Sequence, residues 1–183
     1  MNPISNVLDF LIHVLFSLYI YAVILRVLLG LTRADFYNPF SQFILTVTNP
    51  VLTPLRKFVP SIGKFDTAAI LLVVILKFIE LAARSFLISK NVLLSSLIVP
   101  AVVGVLNQVL NVFIFAIIIL VIISWVAPHL HGQSNPLTPI LRSITEPLIR
   151  PARKLIPPVG VFDLSTLAVL LGLYCVKIFL HSI

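Results

Sequence analysis

Apolar runs, each of at least about 20 residues, dominate this chain and restrict its fold more than any other feature. They extend from Val7 to Leu31, Thr67 to Ile88, Ser96 to Val126 and Leu164 to Ile183. At a helical rise of about 1.5 Å per residue, each can cross a hydrocarbon core about 30 Å thick. Composition closes off the soluble alternative. Of the 183 residues, 60% are hydrophobic and 10% charged, whereas a soluble domain carries about 25% charged residues. There is too little polar surface to cover a globular core, so lipid is the expected solvent. The expected fold class is an all-α membrane protein with about four transmembrane helices. The third run holds Pro100 and Gly104. Pro100 is expected to end a short interfacial helix, with the true span starting near Gly104.

The segments joining runs one to two and three to four are apolar but interrupted by proline. They read NPFSQFILTVTNPVLTPLRKFVP from Asn38 and NPLTPILRSITEPLIRPARKLIP from Asn135. Each is expected to form two short interfacial helices. Pro50 and Pro147 would stand at first helical positions, capped from Thr48, Asn49, Thr145 or Glu146.

A shift of 97 residues superposes the two linkers without a gap. Asn38-Pro39 falls on Asn135-Pro136, Thr48 on Thr145, Pro50 on Pro147 and Pro54 on Pro151. Arg56-Lys57 falls on Arg153-Lys154, Pro60 on Pro157, Gly63 on Gly160, and Phe65-Asp66 on Phe162-Asp163. The chain therefore reads as two parallel tandem repeats, residues 1–97 and 98–183. Each is a span, a proline-broken interfacial segment and a span, and the two are expected to be related by a pseudo-twofold axis along the membrane normal.

Basic residues set the expected orientation. Arg33, Arg56, Lys57 and Lys64 lie in the first linker, and Arg142, Arg150, Arg153 and Lys154 in the second. Only Arg84 and Lys90 flank the connection between runs two and three. Linkers 32–66 and 127–163 are expected to be cytoplasmic, with both termini outside. The same bias, with attraction to anionic headgroups, accounts for the net charge of +7 without a nucleic-acid partner. No cleavable signal peptide is expected, because the N-terminus lacks a basic region ahead of its apolar run.

The repeated pattern NP…T-x-P-x-x-x-P-x-R-K-x-x-P…G-x-F-D, followed by an apolar span, resembles the YggT repeat of bacterial and plastid membrane proteins. The resemblance covers nearly the whole chain. Its two-repeat length implies the Gram-negative form and an inner-membrane location. It also implies association with osmotic or salt stress tolerance, cell-division gene neighbourhoods or assembly of a membrane cytochrome complex. No catalytic residue comes with it.

Lys77, Glu80 and Arg84 lie three and four residues apart on one stripe of the second run. Lys77 is about 16 Å along the helix from Asp66, near mid-bilayer. Intramembrane charges are costly unless paired, and they mark functional sites by default. Structural pairing is the plainer reading and an ion or proton path the sharper one. Glu80 falls on Lys177 in the repeat register, so that pair is a second option. Arg26 can snorkel, or meet Asp35 or Asp66. Arg56, Lys57, Arg153 and Lys154 are candidates for contact with lipid or a protein partner. Asp66 and Asp163 read as helix caps. His129 and His131 are a weak metal signal without a third ligand nearby, and His13 lacks a repeat counterpart as a haem ligand. Cys175, the single cysteine, reads as a small hydrophobe.

No phosphate loop, nucleophile elbow or zincin pair is present, so neither an enzyme nor a cofactor is expected. The leading expectation is a non-catalytic membrane scaffold or assembly factor. The alternative is a small homo-oligomeric transporter or channel subunit, with Lys77, Glu80 and Lys177 lining its path.

Overall fold

A computed structural model describes residues 3–89, 93–126, 136–156 and 163–182. These residues form helices α1 (Pro3–Leu31), α2 (Pro39–Leu55), α3 (Thr67–Ser89), α4 (Ile98–Val126), α5 (Leu137–Leu155) and α6 (Leu164–His181), with one 3-10 turn at Leu94–Leu97. Among the described residues there is no strand beyond an isolated bridge between Ile62 and Phe65. Among the described residues, three stretches are long and apolar enough to cross a membrane: Pro3–Leu31, Leu94–Ser124 and Leu164–His181. Helix α3 is 23 residues long and carries Lys77, Glu80 and Arg84 among its apolar residues.

The chain divides into two compact units, which interleave in sequence. Unit one comprises Met1–Val27 and Ile44–Val109, and unit two comprises Leu28–Phe43 and Leu110–Ile183. The core of unit one gathers Ile20, Val23, Leu52, Ala68, Ala69 and Val73, and that of unit two gathers Ile117, Ile140, Ile144 and Ile149. The outward residues are apolar as well. Phe10, Leu15 and Leu18 on α1, Phe115 on α4 and Leu171, Ile178 and Phe179 on α6 are exposed. Such faces suit lipid and would not suit water.

Two expectations about proline are corrected. Each linker contains one continuous helix rather than two short ones, and Pro50, Pro54, Pro147 and Pro151 lie inside α2 and α5. Within each helix the two prolines are four residues apart, so the lost backbone hydrogen bonds fall on one side. The opposite face keeps a buried stripe. Ile44, Thr48 and Leu52 are buried in α2, and Thr145 and Ile149 occupy the matching places in α5. The threonines at the prolines' doorstep bond back to the helix instead of capping it. Thr48 Oγ1 donates to Ile44 O at 2.6 Å and Thr145 Oγ1 to Leu141 O at 2.8 Å.

Pro100 likewise does not end a helix. It stands in the first turn of α4, where a backbone N–H would have no intrahelical partner. A tight turn leads into α3. Ile62 and Phe65 exchange backbone hydrogen bonds of 3.1 Å, and Gly63 takes a φ of 61°, a conformation open to glycine.

The continuity of α2 is testable with single cysteines at positions 44 to 55 in a Cys175→Ser background. Labelling should follow one period of about 3.6 residues straight across Pro50. A phase jump at Pro50 would restore the two-helix arrangement.

Candidate functional site: a buried charge network in unit one

The network is assembled from stripes on three helices. Asp9, His13 and Ser17 recur every fourth residue on α1, so they share one face. Lys77, Glu80 and Arg84 share a face of α3, and Gly104 and Gln108 share a face of α4. Glu80 lies at the centre with no exposed surface. Its Oε1 accepts from His13 Nδ1 at 2.7 Å, and its Oε2 accepts from Lys77 Nζ at 2.9 Å. Arg84 Nη1 is 3.8 Å from Oε1. Arg84 itself makes a two-pronged pair with Asp9, at 2.7 and 3.0 Å. Two carboxylates thus face one guanidinium and one ammonium, and the formal charge balances.

Lys77 is 6% exposed, and its stem runs against α4 where there is no side chain. A Cβ on Gly104 would sit 2.6 Å from Lys77 Cε. The polar chain continues through Ser17. Its Oγ is 3.4 Å from His13 Nδ1 and accepts from Gln108 Nε2 at 3.3 Å. Among the described residues, the buried Tyr19 Oη, Asn107 Oδ1 and Gln108 Oε1 have no hydrogen-bond partner.

Arg26 does not turn to Asp35 or Asp66. Its Nη1 donates to Thr48 Oγ1 and Asn49 Oδ1, both at 2.7 Å, and to Leu45 O at 3.5 Å. Sequence reasoning missed these partners, along with the place of Asp9 and His13 in the network. The available signal was the four-residue spacing of Asp9, His13 and Ser17 within an apolar run. Lys177 lies in unit two, where its Nζ donates to Asn111 Oδ1 at 2.8 Å, while Glu80 is taken up by partners within unit one.

At the linker ends the two repeats build the same lock. Arg56 pairs with Asp66, and Arg153 pairs with Asp163 at 2.8 Å. Both carboxylates also cap the following helix. Asp66 Oδ1 accepts from Ala69 N at 3.3 Å, and Asp163 Oδ1 accepts from Ser165 N at 3.1 Å and Thr166 N at 3.4 Å. Burial alone would raise the Asp163 pKa. Hydrogen bonds from Ser165, Arg153 and Thr166 outweigh it and hold the value at about 2, against an ordinary 3.8. Lys57 and Lys154 are exposed, and neither forms a salt bridge among the described residues. His129 and His131 lie outside the described residues. Among those described, no group of three His, Cys, Asp or Glu could hold a metal.

The model of the CCB3/YggT family matches residues 5–87 and again 99–183. The chain belongs to this family. It is 40% identical over 166 residues to an uncharacterized protein of Pseudomonas aeruginosa, covering 90% of this chain and 83% of the relative. It is 40% identical over 174 residues to an uncharacterized protein of Vibrio alginolyticus encoded in the proC 3′ region, covering 92% and 90%. The uncharacterized protein YggT of Escherichia coli strain K12 is 35% identical over 173 residues, covering 94% and 88%. No solved structure matches. Family membership therefore brings relatives but no assigned chemistry, and the paired charges must be read on their own geometry.

Two expected outcomes follow from that geometry. Glu80→Gln leaves the buried Lys77 ammonium without its counter-charge and should destabilise the folded protein by about 3–5 kcal/mol. Adding Lys77→Met should recover much of that loss, as read by thermal unfolding in detergent. A single mutant as stable as the parent would mean that the pair is not closed. The second outcome concerns acid. Because the folded pKa of Asp163 is depressed, its contribution is complete above the ordinary value of 3.8 and is lost as pH falls toward about 2. Asp163→Asn should remove that part of the acid-unfolding profile.

Proposed function

We propose that this chain is a non-catalytic scaffold or assembly factor of the bacterial inner membrane, supporting envelope integrity under osmotic stress, cell division or assembly of a membrane complex. In this reading α3 is a fourth span. Its 23 residues give about 35 Å of helix, enough to cross the hydrocarbon. The observation that carries the proposal is the closure of the α3 charges within unit one. Lys77, Glu80 and Arg84 each have an opposite charge within 3 Å on their own or a neighbouring helix. Paired in this way, they cost far less in lipid and fasten the helices to one another.

The linkers supply the working surface. Of the four candidates Arg56, Lys57, Arg153 and Lys154, the two arginines are engaged by aspartates, which leaves Lys57 and Lys154 to meet lipid phosphate or a cytoplasmic partner. The positive-inside bias puts both linkers in the cytoplasm. Relatives in Pseudomonas, Vibrio and Escherichia fit an inner-membrane location.

One observation favours a second reading. His13 has 48% of its side chain exposed and touches the fully buried Glu80. A half-exposed imidazole against a buried carboxylate is a pair able to pass a proton, as a small oligomeric transporter would need.

Liposomes holding the purified protein separate the two. The scaffold reading expects bilayers as tight to protons and small ions as protein-free ones, and photo-crosslinks to a partner from positions 57 and 154 in cells. Proton flux that Glu80→Gln abolishes would establish the transporter instead.

A further inference from the structure

We infer that unit two holds one phospholipid with a primary-amine headgroup, of the phosphatidylethanolamine type, in a cavity whose counterpart in the first repeat is plugged by Arg26. The acceptors around Arg26 are Thr48 Oγ1, Asn49 Oδ1 and Leu45 O. Moved 97 residues along the chain, these positions become Thr145, Glu146 and Arg142, and the plugging arginine becomes Ile123. Isoleucine has nothing to donate. Ile123, Arg142, Thr145 and Glu146 all line a cavity of about 510 Å³ in unit two, within the usual range for small-ligand sites.

The replacements fix the chemistry of the occupant. Thr145 Oγ1 spends its proton on Leu141 O, as Thr48 Oγ1 does on Ile44 O, so both hydroxyls have lone pairs left to accept. Where the first repeat offers a neutral amide oxygen at Asn49, the second offers the carboxylate of Glu146. That pole suits a cation able to donate hydrogen bonds. Arg142, in the place of Leu45, adds an opposite pole. Among the described residues no acid pairs with it, whereas Arg153 is shared between Asp163 at 2.8 Å and Glu146 at 3.8 Å. A guanidinium beside a carboxylate complements a phosphate joined to an ammonium.

One stretch of the wall is apolar, with Leu120, Leu167 and Leu170 able to take the upper part of an acyl chain. Thr138 lines the same cavity. It is 5% exposed, and its Oγ1 has no partner among the described residues, so it can donate to a glycerol ester oxygen. Phosphatidylglycerol brings no cation to Glu146. A choline headgroup brings one without N–H donors. The inference needs only that the chain sits in a bilayer. It does not depend on the scaffold reading, and the flux and crosslinking results leave it untouched.

Native mass spectrometry of the full-length, delipidated protein provides the test. Phosphatidylethanolamine, phosphatidylglycerol and phosphatidylcholine with identical chains would be supplied together. One phosphatidylethanolamine should be retained per chain, favoured over the other two by about tenfold or more. Glu146→Gln, at an exposed position, should bring that preference down to about onefold. Ile123→Arg should abolish retention by restoring the plug of the first repeat, with circular dichroism checking that helical content is kept. Equal retention of the three lipids, or a preference that survives Glu146→Gln, would overturn the assignment. Displacement by water-soluble phosphoethanolamine at equal concentration would overturn the lipid as the occupant.

Discussion

Glu80 is a carboxylate with no exposed surface on a largely apolar helix, and much of unit one follows from satisfying it. Desolvating such a charge costs several kcal/mol even after relaxation. Donors from its own helix and its neighbours must reach it to offset that cost. Lys77 comes from the preceding turn of α3 and His13 from α1. Arg84 is drawn in as well, and Asp9 is needed to balance Arg84. Gly104 on α4 leaves room for the Lys77 stem, which a Cβ there would force to shift. A polar demand at one point thereby fixes the approach of three helices. Lipid supplies no hydrophobic force between helices that could do this by itself.

The two repeats share a frame and differ in what fills it. In both, an arginine at the end of the linker helix is bonded to the aspartate that caps the next helix. One carboxylate serves the helix dipole and the guanidinium together, which ties each linker helix to the start of the following helix. Within that common frame the side chains at positions 26 and 123 diverge. Arg26 fills its surroundings with hydrogen bonds, while Ile123 faces an open cavity with charged residues at its edge.

Proline is where local signals and the folded chain part company. Pro50, Pro54, Pro147 and Pro151 each remove a backbone hydrogen bond, and a reading of the sequence places a break at each first member. Burial of Ile44, Thr48 and Leu52 on one face of α2, and of Thr145 and Ile149 on the matching face of α5, holds each helix together across the lost bonds. Local propensity is a weak prior that such packing overrides. Pro100 carried the same local signal, but its position in the first turn of α4 made it harmless.

The sequence by itself determined that the chain is helical and membrane-compatible, that its linkers repeat, and that Lys77, Glu80 and Arg84 share one stripe. Apolar run length, repeat register and helical periodicity are all properties of neighbours along the chain, so they survive without a structure. Only the tertiary structure decided which partners those charges take. Asp9 and His13 lie 75 and 67 residues from Arg84 and Glu80, and no local pattern links residues so far apart. It also decided that Arg26 seals its site with Thr48 and Asn49 while the matching place in the second repeat is a cavity. A void is defined by side chains arriving from three helices, and its existence depends on what their packing leaves unfilled.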